Sequence, residues 1–319
     1  MEQDDDAPGD VTGLSLMEAA ERIAARDDRP DEETIRTVLA EVAVERIVSE
    51  DGITELESDT SMAVSNAENR AEYATMRVDE VEAAAAEAPD LETVAARLDE
   101  FAARAESVES RALDLADRLH ELIHRREYSE SVYEYVRDLR DLGQDADALH
   151  GDAQQLATDA DELERWLDSH ETRVGELSAD VGAIEAAFDD LKTAADRLEE
   201  PDVIGADEPD PATQWFAVTQ RQRVNELVVA DARAELADVR TWAERAGEET
   251  ADIDGLADRL DDLESRRERL GDRLDDLARP AWREQYGEAL SAVEATLDEF
   301  EPPVDFGAVQ AALDDHGPA

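Results

Sequence analysis

From Val132 to Leu198 the apolar residues return at alternating steps of three and four: Val132, Tyr135, Leu139, Leu142, Ala146, Leu149, Ala153, Leu156, Ala160, Leu163, Leu167, then past His170 through Val174, Leu177, Val181, Ile184, Phe188, Leu191, Ala195 and Leu198. Alternation of this kind closes a narrow stripe on one face of an α-helix; a strand, with its period of two, would scatter the same residues over both faces. A continuous helix over this run would be about 100 Å long. Gly143, Gly151, Gly175 and Gly182 all fall off the stripe, and Gly143 and Gly151 are the expected kink points.

The same rule organises most of the chain. An Ala-rich stripe runs Ile53, Leu56, Thr60, Val64, Ala67, Ala71, Ala74, Val78, Val81, Ala85, Ala88 and stops at Pro89. A second runs Leu91, Val94, Leu98, Phe101, Ala105, Val108, Ala112, Leu115, Leu119, Leu122. A turn is expected near 126–131, with Ser131 and Glu134 as a capping box and Tyr128, Tyr133 and Tyr135 covering the end of the helices. Pro201, Gly205, Pro209 and Pro211 mark a linker. The helix after it offers two competing faces, one through Trp215, Val218, Gln222, Asn225, Val229 and Leu236, the other through Phe216, Val224, Leu227 and Val228. Ile253, Leu256, Leu260, Leu263, Arg267, Leu270, Leu274 and Leu277 continue the heptads, and a last long helix carries Trp282, Tyr286, Leu290, Val293, Leu297 and Phe300. Ahead of all this, Ser15 with Glu18 caps a short helix and a second one follows Pro30, closing at Asp51-Gly52. No β-branched cluster alternates over more than a few residues. The expected organisation is a small helical unit (1–52), a long coiled-coil region (53–200), an acidic linker (201–214), a second helical-hairpin region (215–300) and a short helix with a tail (301–319). The fold class is all-α, an elongated antiparallel coiled coil or bundle of long heptad helices.

Charge narrows the environment and the partners. Asp and Glu number 86 against 31 Lys and Arg, a net charge of −55. Phosphate backbones need cations, so nucleic acid is excluded as a partner. Such self-repulsion is tolerable where salt shortens the Debye length to about 3 Å, as at 1 M. The cations agree, because Lys192 is the sole lysine and the remaining basic residues are Arg, whose guanidinium is the more weakly hydrated. These features point to a halophilic, salt-loaded cytoplasm. No apolar run reaches spanning length, and the acidic opening has neither the basic nor the apolar part of a secretory signal. Cysteine is absent, which removes disulfides and thiolate metal sites.

One motif carries chemistry by its spacing. His120-Glu121-Leu122-Ile123-His124 is the HExxH pattern, in which two histidines one turn apart hold zinc and the glutamate serves as general base. Against this, Leu119 and Leu122 belong to the stripe, so His120, Glu121 and His124 face solvent, bracketed by Arg118, Arg125 and Arg126. No third ligand stands out, and the favoured reading is a solvated helix face with no metal, no cofactor and no catalytic residue. Asp51-Gly52-Ile53-Thr54 lacks the upstream carboxylates of a calcium loop, and His170, on the stripe, reads as a core histidine.

The segments GLSLMEAAERIAARDDRP, EDGITELE, TQWFAVTQRQRV and DVRTWAERAG, with the Ala-rich heptads, resemble the haloarchaeal family of acidic coiled-coil proteins named halo transducer protein. The name implies kinship with chemoreceptor transducers, whereas this sequence shows no membrane span and no receptor-tip hairpin; no site residue carries over. The expected function is that of a non-enzymatic cytoplasmic scaffold binding protein partners through its helical faces, with receptor or cytoskeletal assemblies as the narrower reading, and with self-association into a homo-oligomer open to the same faces. The alternative is a zinc-dependent peptidase using residues 120–124.

Overall fold

A computed structural model of the protein describes residues 11–25, 30–126, 131–199 and 210–314. They form ten α-helices with one short hairpin, an all-α helical bundle. The chain divides into two compact units, residues 1–86 with 98–164, and residues 87–97 with 165–319.

The first unit begins with α1 (Leu16–Ala24) and α2 (Glu32–Leu39). Ser15 and Glu18 make the reciprocal capping box, and Asp31 caps α2 by accepting from the Glu33 and Thr34 N–H groups. Val42, buried, lies in the 3-10 turn that follows α2, and Val44 is exposed. Contrary to the expectation of no strand, β1 (Ala43–Val44) and β2 (Ile47–Val48) pair antiparallel through a two-residue turn. Glu45 and Arg46 sit there at φ 51° and 68°. Two left-handed residues in succession make the tight hairpin geometry, which Asn-Gly would have advertised and Glu-Arg does not. Asp51-Gly52 does not close this unit. It lies in the first turn of α3 (Glu50–Ala85), capped by Ser49.

Burial follows the stripes. Thr60, Val64, Ala67, Ala71, Ala74, Val78, Val81 and Ala85 are the inward face of α3. On α4 (Glu92–Arg126) Phe101, Ala105, Val108, Ala112, Leu115 and Leu122 are buried, and on α5 (Val132–Asp168) Leu139 to Leu163 are buried at every seam position. The Ser131 hydroxyl accepts from the Glu134 N–H at 3.4 Å, so α5 starts where its capping residues place it; residues 127–130 lie outside the described residues. Tyr133 and Tyr135 are buried in the first turn of α5; Tyr128 lies outside the described residues. Beside the stripe runs a ladder of ion pairs. Arg104, Arg111 and Arg118 meet Asp159, Asp152 and Asp145 at 2.5, 2.7 and 2.8 Å, and Arg125 meets Asp138. The partners advance by seven along α4 and retreat by seven along α5, so the two helices are antiparallel.

The run from Val132 to Leu198 is not one helix. Gly143 and Gly151 sit inside unbroken α5, and the interruption is at Ser169, ahead of α6 (His170–Glu199). In the second unit α6 packs with α7 (Pro211–Ala246) and α8 (Ala251–Leu277) around one core of Leu177, Val181, Phe188, Trp215, Val239, Leu260 and their neighbours. Residues 211–214, placed in the linker by composition, are the first turn of α7, capped by Asp210; 201–209 lie outside the described residues. Both competing faces of α7 are used. The seam through Gln222 and Asn225 is buried towards α6 and α8, while Leu227, with Val224 beside it, packs on α9 (Pro280–Leu297) and α10 (Phe306–Asp314). No helix among the described residues is long and apolar enough to cross a membrane.

Candidate functional site

His120 and His124 stand one turn apart on the outward side of α4, their rings 4.4 Å apart edge to face, with Glu121 exposed between them. Buried Leu122 and half-buried Leu119 hold that helix by its opposite side. The neighbouring arginines are engaged elsewhere. Arg118 pairs with Asp145, Arg125 with Asp138, and Arg126 with Glu50 and Glu57. Among the described residues no three His, Asp or Glu side chains gather as a metal cage. A shallow recess of about 280 Å³ at Glu121 is lined by Arg118, Arg125, Asp138 and Asp141, two charges of each sign besides the glutamate.

The densest polar construction lies instead around the helix break in the second unit, and it uses residues that the heptad pattern does not single out. With the chain interrupted at Ser169, the carbonyls of Trp166 and Leu167 lose the N–H partners of a continuing helix. Arg173 replaces them. Its Nη1 donates to both, at 3.0 and 2.8 Å, from a side chain 2% exposed. The Ser169 hydroxyl accepts from the Thr172 N–H at 3.2 Å and so caps α6. The Arg173 guanidinium lies 3.9 Å from the centre of the Trp242 ring, Trp242 meets Trp166 edge to face at 5.7 Å, and Arg97 lies 4.4 Å over the other side of that pair. Two arginines thus bracket two tryptophans, a cation–π arrangement in which Arg173 and both rings are buried. Burial lowers the Arg173 pKa against the pull of Glu248, 3.4 Å away. His170, expected in the core, is half-buried. Its Nε2 is 3.1 Å from the Glu249 carbonyl and its Nδ1 2.9 Å from the Glu248 carboxylate.

Arg97 lies in the first stretch of α4, which belongs to the second unit. It bridges Glu176 of α6 at 2.7 Å and Glu235 of α7 at 2.8 Å. Burial alone would depress the Arg97 pKa, but the two carboxylates raise it; burial in turn raises that of Glu235 against the pull of Arg97. The Thr93 N–H and hydroxyl both donate to Asp238, at 2.9 and 2.8 Å. The arrangement clamps helices together; its charged groups are committed to one another. The heptad register runs on through Ser169 and Trp242 belongs to α7, so periodicity carries no signal for this hub, which only the packing of distant segments assembles. No family model, no curated protein and no solved structure matches the chain.

Proposed function

We propose that the protein is a non-enzymatic scaffold of a salt-rich cytoplasm that holds protein partners on the outward faces of its helices. The methionines carry the reading. Met17, Met62 and Met76 are 65%, 57% and 46% exposed, although methionine is ordinarily among the residues folded inside. Met62 and Met76 are two heptads apart on the outer side of α3, about 21 Å along the helix, and exposed Tyr73 lies between them. Flexible thioethers suit a surface that repacks against partners, and the carboxylates around them favour a partner with a basic rim. Receptor-associated or cytoskeletal proteins are the narrower expectation. The test is a photoreactive p-benzoylphenylalanine at position 62, 76 or 155 in halophilic cells. Cross-links to a common partner from 62 and 76 but not from exposed position 155, lost in Met62→Asp/Met76→Asp, are the expected outcome; equal labelling from all three positions, or none, refutes the reading.

A further inference from the structure

We infer that a cleft between α6, α7 and α10 binds an aliphatic carboxylic acid, with Arg221 meeting the head group. The cleft has a volume of about 870 Å³, within the range of small-molecule sites. Its existence follows from residue size. Along a second side of α6, away from the seam, Ala183, Ala187 and Ala194 end at Cβ, so α6 presents a shallow floor, while Val224 of α7 and Val309 and Leu313 of α10 supply branched walls. The far wall is fastened independently of any occupant. Val304 donates its N–H to Asp231 at 2.8 Å, Asp305 caps α10 through the Gly307 and Ala308 N–H groups at 2.8 and 3.0 Å, and Val309 and Leu313 pack on Leu227, Val293 and Leu297.

Charge selects the head group. In a chain where acids outnumber bases nearly three to one, Arg223 and Arg267 nearby are held by Glu294 and Glu226, each at 2.8 Å. Arg221 lines the cleft, is exposed, and has no ion pair among the described residues. An unpaired guanidinium beside an apolar cleft offers a contact for one anion. Asp190, also lining the cleft, disfavours a doubly charged phosphate and leaves a monoanionic carboxylate.

The test is fluorescence titration of the full chain in molar KCl with 11-(dansylamino)undecanoic acid and with its uncharged methyl ester. Contact pairing survives at that salt, where the Debye length is about 3 Å. One saturable site per chain is expected, binding the acid more tightly than the ester. Ala187→Trp, which fills the floor, should abolish binding of both probes. Arg221→Gln should weaken the acid about tenfold and leave the ester unchanged, as for loss of one charge-assisted hydrogen bond. Circular dichroism checks that each variant is folded, and Ala194→Phe replaces Ala187→Trp if that chain is not. Absent saturation, undiminished binding to the filled variant, or equal affinities for acid and ester in the native chain each overturn the assignment.

Discussion

Arg173 shows how one side chain can substitute for a turn of helix. It satisfies two carbonyls, fills the space beside Trp242 and carries a charge that burial penalises, so its removal combines unpaired acceptors with a cavity. We predict that Arg173→Ala costs about 2–4 kcal/mol in thermal unfolding, whereas Arg111→Ala, one rung of the exposed ladder, costs no more than about 0.5 kcal/mol. Carboxylates make a second prediction. Burial raises the pKa of Glu235 and of Asp231. An acid held above its unfolded pKa binds its proton more tightly when folded, so stability rises as pH falls through the folded pKa and is lost again on the way up. The capping carboxylates Asp31 and Asp210 lie below their ordinary value, through bonds from the Thr34 N–H and the Thr213 hydroxyl, and their contribution disappears only under stronger acid. The melting temperature is therefore expected to rise as the pH is lowered from neutrality towards the ordinary Asp and Glu range of about 4, and to fall again at more acid pH. Glu235→Gln should flatten the first limb.

At the scale of an element, glycine separates two situations that look alike in sequence. A Cβ on Gly52 would lie 2.3 Å from the Val42 carbonyl oxygen, so the start of α3 approaches the 3-10 turn as only glycine permits. A Cβ on Gly151 meets nothing within 4 Å. Gly52→Ala should destabilise by about 1–3 kcal/mol, and Gly151→Ala should stabilise by about 1 kcal/mol through helix propensity, both read from melting curves. The seam is tested on the same helix. Leu163, 4% exposed, should cost several kcal/mol, about 3 or more, when replaced by Asp, while Gln154→Asp on the exposed side should change little. Equal shifts would refute the assignment of faces. Within α7 neither face wins because helices pack on both, a circumstance no single-helix periodicity can express.

For the whole molecule, a charge of −55 acts against compaction at every distance that solvent ions do not screen. Ladder partners, in contact at 2.5–2.8 Å, lie inside the Debye length of about 3 Å at 1 M salt, whereas repulsion between distant carboxylates is screened away. Salt thus removes the cost and spares the contacts. Helicity by circular dichroism should rise steeply with KCl towards molar concentration; full helicity in dilute buffer would refute the argument.

The all-α class, the buried faces of the long helices other than α7, the start of α5 after Ser131 and the exposure of His120, Glu121 and His124 were legible in the sequence, because a period of 3.5 residues and a capping residue are local properties that survive without knowledge of neighbours. The rungs from Arg104–Asp159 to Arg125–Asp138 were legible in principle, as arginines and aspartates seven apart on adjoining segments. Tertiary structure alone decided the break at Ser169 instead of at a glycine, the inward place of Arg173, and the cleft beneath α10. The physical reason is common to all three: a glycine lowers the cost of a break but does not supply one, and an arginine is buried, or a row of alanines left uncovered, only where a distant segment provides the ring, the carbonyl or the wall.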